Sequence, residues 1–330
     1  GMRRLAIADI QKGLGQVGSP LLEQPAYTSA VLLDDIFEHS VETGSIGGID
    51  RQDHAYDVVV RDNLAFVSDG SNGLTVYDLD VVPDYDPASL TYGDHVVSNL
   101  GAADGNPLLG RATAAELWTD PTTGTEYAFV AAGHAGIAVV DISDVENMVL
   151  VKRFEPIKPG DDPDDPDKVG KADGRSVDVQ IVGDYAYFTY DSFGIVAYRI
   201  DDPDPLVHDL ISPLPEGTDP TEVWKPGGAG YDYRPEAVAR FKLQDATLGG
   251  WPELAGWKGG ALGMDTLRVS GKQLFYVAYG DAGVIKLDWT DPAAPVLKQH
   301  LNTVGDALDV TVENGRAYVA DNLGGLALIK

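Results

Sequence analysis

Two sets of residues recur where side chains from separate parts of the chain could meet and do chemistry. The first set is a column. His54, Arg175 and Asp306 each stand three positions before an aspartate (Asp57, Asp178, Asp309), and aligning GRATAA with GRSVDV adds Arg111. Guanidinium and imidazole groups gathered in one place would hold a carboxylate, because the guanidinium fork matches its two oxygens. The same cations could instead pair with the three aspartates and tie neighbouring segments together. The second set lies in tight turns: Asp69, His134, Asp191, Asp281 and Asp321. Carboxylates converging from several turns could bind calcium, a hard cation that takes oxygen ligands. In that case Asp69, Asp191 and Asp321 would be the ligands, with His134 or His54 as general base. Aspartate is also what a tight turn selects for its own backbone geometry. His134, in GHAG, is the one residue of this set that its turn does not require.

The elements that would position these residues are repeats. RDNLAFVSDGSNGLTVYDLD, at 61–80, reads as strand, tight turn, strand: alternating apolar residues flank a run of turn formers. The unit returns at 126–143, 184–201, 274–291 and 316–330. In every copy an aromatic precedes a glycine by seven positions: Phe66/Gly73, Phe129/Gly136, Tyr187/Gly194, Tyr276/Gly283 and Tyr318/Gly325. A polar residue follows that glycine by five: Asp78, Asp141, Arg199, Asp288 and Lys330.

Four short strands in a unit of roughly 40 residues describe the blade of a β-propeller. The expected fold is therefore all-β, a ring of four-stranded antiparallel blades forming one domain over 1–330. Loop insertions are expected near 80–94, 158–174 and 213–262. The gap of 89 residues between Gly194 and Gly283 has room for a degenerate unit, with AVARFKL as its third strand and Ala237 at the glycine position. That reading favours six blades, with five or seven as alternatives. The last unit stops after three strands, and residues 5–10 resemble the third strand of the repeat. An N-terminal strand that completes the last blade would close the ring and remove an open edge.

Composition narrows the partners. The chain has 52 acidic and 24 basic residues, a net charge of −28. Nucleic acid is polyanionic and its binders are basic, so nucleic acid is not an expected partner. No apolar run approaches the roughly 18 residues of a membrane span. The absence of cysteine removes disulfides and thiolate chemistry. No signal peptide is visible. The acidic loop Asp161–Asp167 lacks the glycine and glutamate spacing of an EF-hand, and no nucleophile-elbow, zinc-protease or phosphate-loop motif occurs. Trp224, Tyr231, Tyr233, Trp251 and Trp257 cluster in the largest insertion. They would form either a recognition surface for sugar or protein, or a small satellite core.

The recurring phrase reads AFVSDGSNGLTVYDL, AFVAAGHAGIAVVDIS, FYVAYGDAGVIKLDWTDPAAPVL and AYVADNLGGLALI. It resembles the LVIVD repeat of bacterial and archaeal propeller proteins, over most of residues 56–330. The resemblance implies an exported, periplasmic or surface protein that acts in binding or assembly, and it carries no catalytic residues across. The expected function is a non-catalytic propeller presenting its channel-mouth face to a protein or a glycan without a cofactor. The alternative is a calcium-dependent hydrolase or lyase with its site at the same mouth.

Overall fold

The computed structural model describes residues 55–81, 95–103, 106–157, 174–204, 208–223, 225, 227–244 and 259–329. These form five antiparallel sheets arranged as propeller blades, their strands in sequence order from the centre outward. Blade 1 holds β1 (Asp57–Arg61), β2 (Leu64–Ser68), β3 (Gly73–Asp78) and β4 (Val96–Ala103), with a two-residue β5 (Asn106–Pro107) at its edge. Blade 2 holds β6 (Ala114–Thr119), β7 (Glu126–Ala131), β8 (Ile137–Asp141) and β9 (Val149–Phe154). Blade 3 holds β10 (Asp178–Val182), β11 (Tyr185–Tyr190), β12 (Gly194–Arg199) and β13 (Ala237–Phe241). Blade 4 holds β14 (Met264–Val269), β15 (Lys272–Ala278), β16 (Val284–Asp288) and β17 (Val296–Leu301). Blade 5 has three strands, β18 (Asp309–Glu313), β19 (Arg316–Ala320) and β20 (Leu326–Ile329).

The repeated glycine has a steric cause. Gly73, Gly136, Gly194 and Gly283 all have φ between +77° and +102°, where a side chain is strained. Each also faces the outer strand of its own blade. A Cβ there would lie 2.3 Å from Leu100 O, 2.1 Å from Phe154 O, 2.2 Å from Phe241 O and 2.4 Å from Leu301 O respectively. The glycine thus opens a seat for the end of the fourth strand. The aromatic that precedes it sits in the middle strand. Phe66, Phe129 and Tyr187 are fully or nearly fully buried. Between blades 3 and 4, Tyr187 packs on Phe275 and Trp289 with ring centres 4.5 and 5.0 Å apart. Between blades 2 and 3, Phe154 meets Tyr198 edge-on at 5.3 Å.

Among the described residues five blades form, not six. AVARFKL, expected as the third strand of a hidden unit, contributes β13, which pairs antiparallel with β12 and completes blade 3. Asp191, in the β11–β12 turn, then bridges directly to Ala261 ahead of β14, so blades 3 and 4 are neighbours. The apolar pattern of AVARFKL fits an outer strand as well as a middle one, and the long excursion between β12 and β13 disguised the pairing. That excursion folds back on blade 2. Arg153 N–H donates to Pro220 O at 2.6 Å, and the buried Lys152 ammonium donates to Asp209 O at 3.0 Å. Burial lowers the Lys152 pKa to about 8, against a smaller opposing effect of Asp209. Of the insertions, most of 80–94 and 158–174 lies outside the described residues.

The blades are joined by two repeated devices at one face. Backbone bridges run from each middle turn to the lead-in of the next blade: Gly70 to Ala112, Gly133 to Ser176, Asp191 to Ala261 and Gly280 to Ala307. Side chains then bolt inner strand to inner strand. Asp57 accepts from Ala115 N–H at 3.2 Å, Asp178 from Met264 N–H at 2.8 Å and Asp265 from Val312 N–H at 2.7 Å. Between blades 2 and 3 the bolt is Thr113, whose hydroxyl donates to Val177 O at 2.9 Å. Among the described residues no helix is long and apolar enough to cross a membrane.

Candidate functional site at the channel mouth

The residue immediately before each inner strand points to the same place. Tyr56, Thr113, Val177, Gly263 and Leu308 come from the five blades in turn, and all line one cavity of about 340 Å³ at the centre of the ring. Arg111, His134 and Arg175 complete its rim, with Asp178 and Asp309 in its wall. The bridge from Gly133 to Ser176 explains why the three cationic or imidazole side chains are neighbours. It brings the His134 turn of blade 2 against the strand lead-in that carries Arg175. The same turn packs on Arg111, since a Cβ on Gly133 would lie 3.0 Å from Arg111 O and 3.3 Å from Arg111 Cβ. Three parts of the sequence far apart in number thus become one sector of the mouth.

The groups in this sector are held differently. The Arg111 guanidinium lies over the Tyr56 ring, 5.1 Å from its centre, and donates to the Tyr56 hydroxyl. Arg175 and His134 are exposed, and neither forms a hydrogen bond or ion pair with another described residue. The wall aspartate Asp178 is buried. One oxygen accepts from Val179 N–H and the other from Met264 N–H, both at 2.8 Å. Asp309 likewise accepts from Val310 N–H at 2.8 Å. The bonds seen at Asp57 and Asp178 run to backbone amides of their own or the next blade. At Asp57 and Asp178 the aspartate column thus ties one blade to the next, through main-chain amides and not through the cation pairs of the sequence reading.

The other expected residues fall as follows. His54 lies outside the described residues, as do Trp224, Trp251 and Trp257. Asp306 is exposed beside Asn322, whose amide donates to it at 3.4 Å, and it does not line the cavity. Asp69, Asp191 and Asp321 occupy equivalent turns of blades 1, 3 and 5. Asp69 is buried and accepts from Asn72 in its own turn and Thr75 in β3, at 3.2 and 3.4 Å. Asp191 carries the backbone bridge to Ala261. Asp321 is buried and accepts from Gly305 N–H at 2.8 Å. Among the described residues no three His, Asp or Glu side chains are grouped to hold a metal ion. Tyr231 is buried in a single 3-10 turn, Tyr231–Tyr233, with Arg234 stacked 4.2 Å from its ring centre. Tyr233 packs on His208 at 4.8 Å. Both belong to the excursion, in which Leu210 and Val223 join the core between blades 2 and 3.

Sequence reasoning missed Tyr56, Leu308 and the rest of their column. The signal was present, two positions on from the column that was read: one residue of each blade directly before the first strand. On the same face blade 5 exposes Val304 and Leu323, at 97% and 96%. They belong to adjacent loops, joined by the bond from Gly305 N–H to Asp321.

Antiparallel blades joined at one face around a central cavity define a β-propeller. Residues 53–92, 125–155, 265–303 and 304–329 match the family model described as the LVIVD repeat. The chain thus carries four regions that match the LVIVD repeat, on a β-propeller fold. No curated protein matches it. Among solved structures it is similar to the computationally designed Ika8 protein at 8% identity, covering 84% of this chain and 71% of that one, with a TM-score of 0.41. For the designed Ika4 protein the identity is 8%, the coverage 70% and 97%, and the TM-score 0.37. For BBS1N in complex with ARL6DN the identity is 8%, the coverage 85% and 66%, and the TM-score 0.43. Likenesses at this level bear on neither ligand nor partner.

Proposed function

We propose that this chain is a non-catalytic binding propeller that presents its channel-mouth face to a glycan or protein outside the cytoplasm. The observation that carries this reading is the cavity to which all five blades contribute. Rigid strands fix its walls, and the loops above them are where a scaffold of this kind places recognition. The exposed Val304 and Leu323 would extend the contact onto the rim for a larger partner. The extracytoplasmic setting rests on the LVIVD repeat alone. The reading needs no cofactor.

The same proposal includes a closed ring. Gly325 keeps the positive φ of its four counterparts, +74°, yet a Cβ there would meet nothing within 4 Å. The seat made for a fourth-strand carbonyl is present without an occupant among the described residues. Leu326 and Leu328 on β20 are 45% and 49% exposed. An N-terminal strand of the chain laid along β20 would fill the seat and cover the edge.

The test is a ligand panel of neutral and acidic saccharides and of peptides, read by thermal unfolding. A ligand bound to the folded state raises the midpoint. Leu308→Trp would fill the mouth from a half-exposed position without removing a buried group. Ligands of the channel mouth lose their shift in this variant. A panel whose hits are all indifferent to Leu308→Trp would place recognition elsewhere and overturn the proposal.

A further inference from the structure

We infer that the ligand of the channel mouth is a sugar acid: a single hexuronate-type residue whose carboxylate is held between Arg175 and Arg111. This rests on the channel-mouth reading and deepens it. The chain is strongly acidic, −28 overall, yet two arginines and a histidine from adjoining segments share one sector of one cavity. On such a background an anion has little reason to approach any other part of the surface, and the local donors must overcome the general repulsion. Arg175 has its whole fork available to a bidentate partner, and an arginine is the side chain suited to that geometry. Arg111, which lines the same cavity, is oriented by stacking on the Tyr56 ring. His134 lines the cavity with them.

Both oxygens of Asp178 already accept backbone N–H groups, one its own and one from blade 4.

The rest of the cavity argues for a ring rather than a bare anion. Leu308, Val177 and the glycine Gly263 also line the cavity. Gly263 cannot carry a side chain, since a Cβ would lie 2.0 Å from Asp309 Oδ1. Leu308 and Val177 offer apolar contact to the C–H face of a pyranose, and the Tyr56 ring, which also lines the cavity, offers an aromatic surface. At about 340 Å³ the cavity is at the small end of ligand pockets, which span about 300–1,000 Å³. That size selects one sugar residue, at a chain end or as a monosaccharide.

The experiment is a titration of the intact protein with galacturonate, galactose and acetate, followed by calorimetry and by saturation-transfer NMR. Galacturonate is expected to bind at least tenfold more tightly than either galactose or acetate. Arg175→Ala and Arg111→Ala should each weaken it roughly tenfold or more, with Arg175→Lys restoring only part, because a charged bidentate contact is lost. Arg175 is exposed, so its replacement leaves the fold intact, and the unchanged unfolding midpoint of the variant checks this. Acetate binding as tightly as galacturonate would overturn the sugar assignment. Galacturonate binding that survives Arg175→Ala would overturn the clamp. If galactose binds and Leu308→Trp blocks it while galacturonate is inert, the acid proposal falls and the channel-mouth reading stands. If no ligand of the wider panel responds to Leu308→Trp, the reading itself falls with it.

Discussion

Replacing Gly136 by alanine isolates the reason for the repeated glycine. Gly136 has φ +92°, and its Cβ would lie 2.1 Å from Phe154 O and 2.9 Å from Phe154 C. Holding an L-residue in such a conformation costs about 1–3 kcal/mol. The collision adds to this. The obstacle is backbone at the end of β9, where Ile137 pairs with Phe154, so it cannot swing aside as a side chain would. Forcing an extra carbon into a packed site costs about a further 1–3 kcal/mol. Gly124 is the control: its φ is +76°, and a Cβ there meets nothing within 4 Å. Gly124→Ala should therefore show the conformational cost alone. Urea unfolding followed by tryptophan fluorescence gives both values, with the slope unchanged if only stability moves. Gly136→Ala is expected to be less stable than Gly124→Ala by about 1–3 kcal/mol. A difference within about 0.5 kcal/mol, the ordinary scatter of surface changes, would refute the steric argument.

Three further outcomes follow from the same geometry. Gly325→Ala should cost as much as Gly136→Ala in the intact chain if a fourth strand fills the seat beside β20; the cost seen for Gly124→Ala would instead mean an empty seat and no closing strand. Lys152 is buried with its pKa lowered from 10.5 to about 8. The unfolded chain then holds the extra proton between those values, so this group makes stability rise with pH from about 8 to about 10.5. Urea midpoints of wild type and Lys152→Met should therefore converge as pH rises through that window, and a gap independent of pH would show that the ammonium is not desolvated. Finally, the described carboxylate and histidine side chains are not grouped in threes to hold a metal ion, so 5 mM calcium, an order-of-magnitude choice of about the level that fills weak sites, followed by chelator, should leave the unfolding midpoint unchanged. A shift of several degrees reversed by chelator would restore the metal-dependent alternative.

The parts of the fold that were legible in the sequence are those set by local sterics. The glycine is required by the outer strand's carbonyl, and the aromatic by the packing between blades, so both recur at fixed spacing. The strands of blades 1, 2, 4 and 5 fall where the repeat places them. Blade 3 was misjudged because strand order is a long-range property. The segment Ala237–Phe241 carries an apolar pattern that either a middle or an outer strand satisfies, and only its pairing with β12 decides. At the site, the column holding Arg111 and Arg175 was readable because repeat alignment superposes equivalent positions. The Tyr56–Leu308 column was equally aligned but chemically mixed (Tyr, Thr, Val, Gly, Leu), so no residue type drew attention to it. The placing of the His134 turn beside the segments that carry both arginines could not be read at all. It depends on the backbone bridge from Gly133 to Ser176, between residues 43 positions apart.

The central claim, that the channel mouth is where this propeller binds, can be measured with a single thiol. The chain has no cysteine, so His134→Cys introduces a unique exposed reporter on the rim of the cavity, and Thr123→Cys places one on the β6–β7 hairpin away from it. The rate of labelling by a thiol reagent is followed with and without a ligand from the panel. At tenfold over its dissociation constant, a ligand seated in the mouth leaves the site free about one-eleventh of the time by mass action. Labelling at position 134 should slow by about that factor while labelling at position 123 is unchanged. An unaltered rate at position 134 under a saturating ligand would contradict the account.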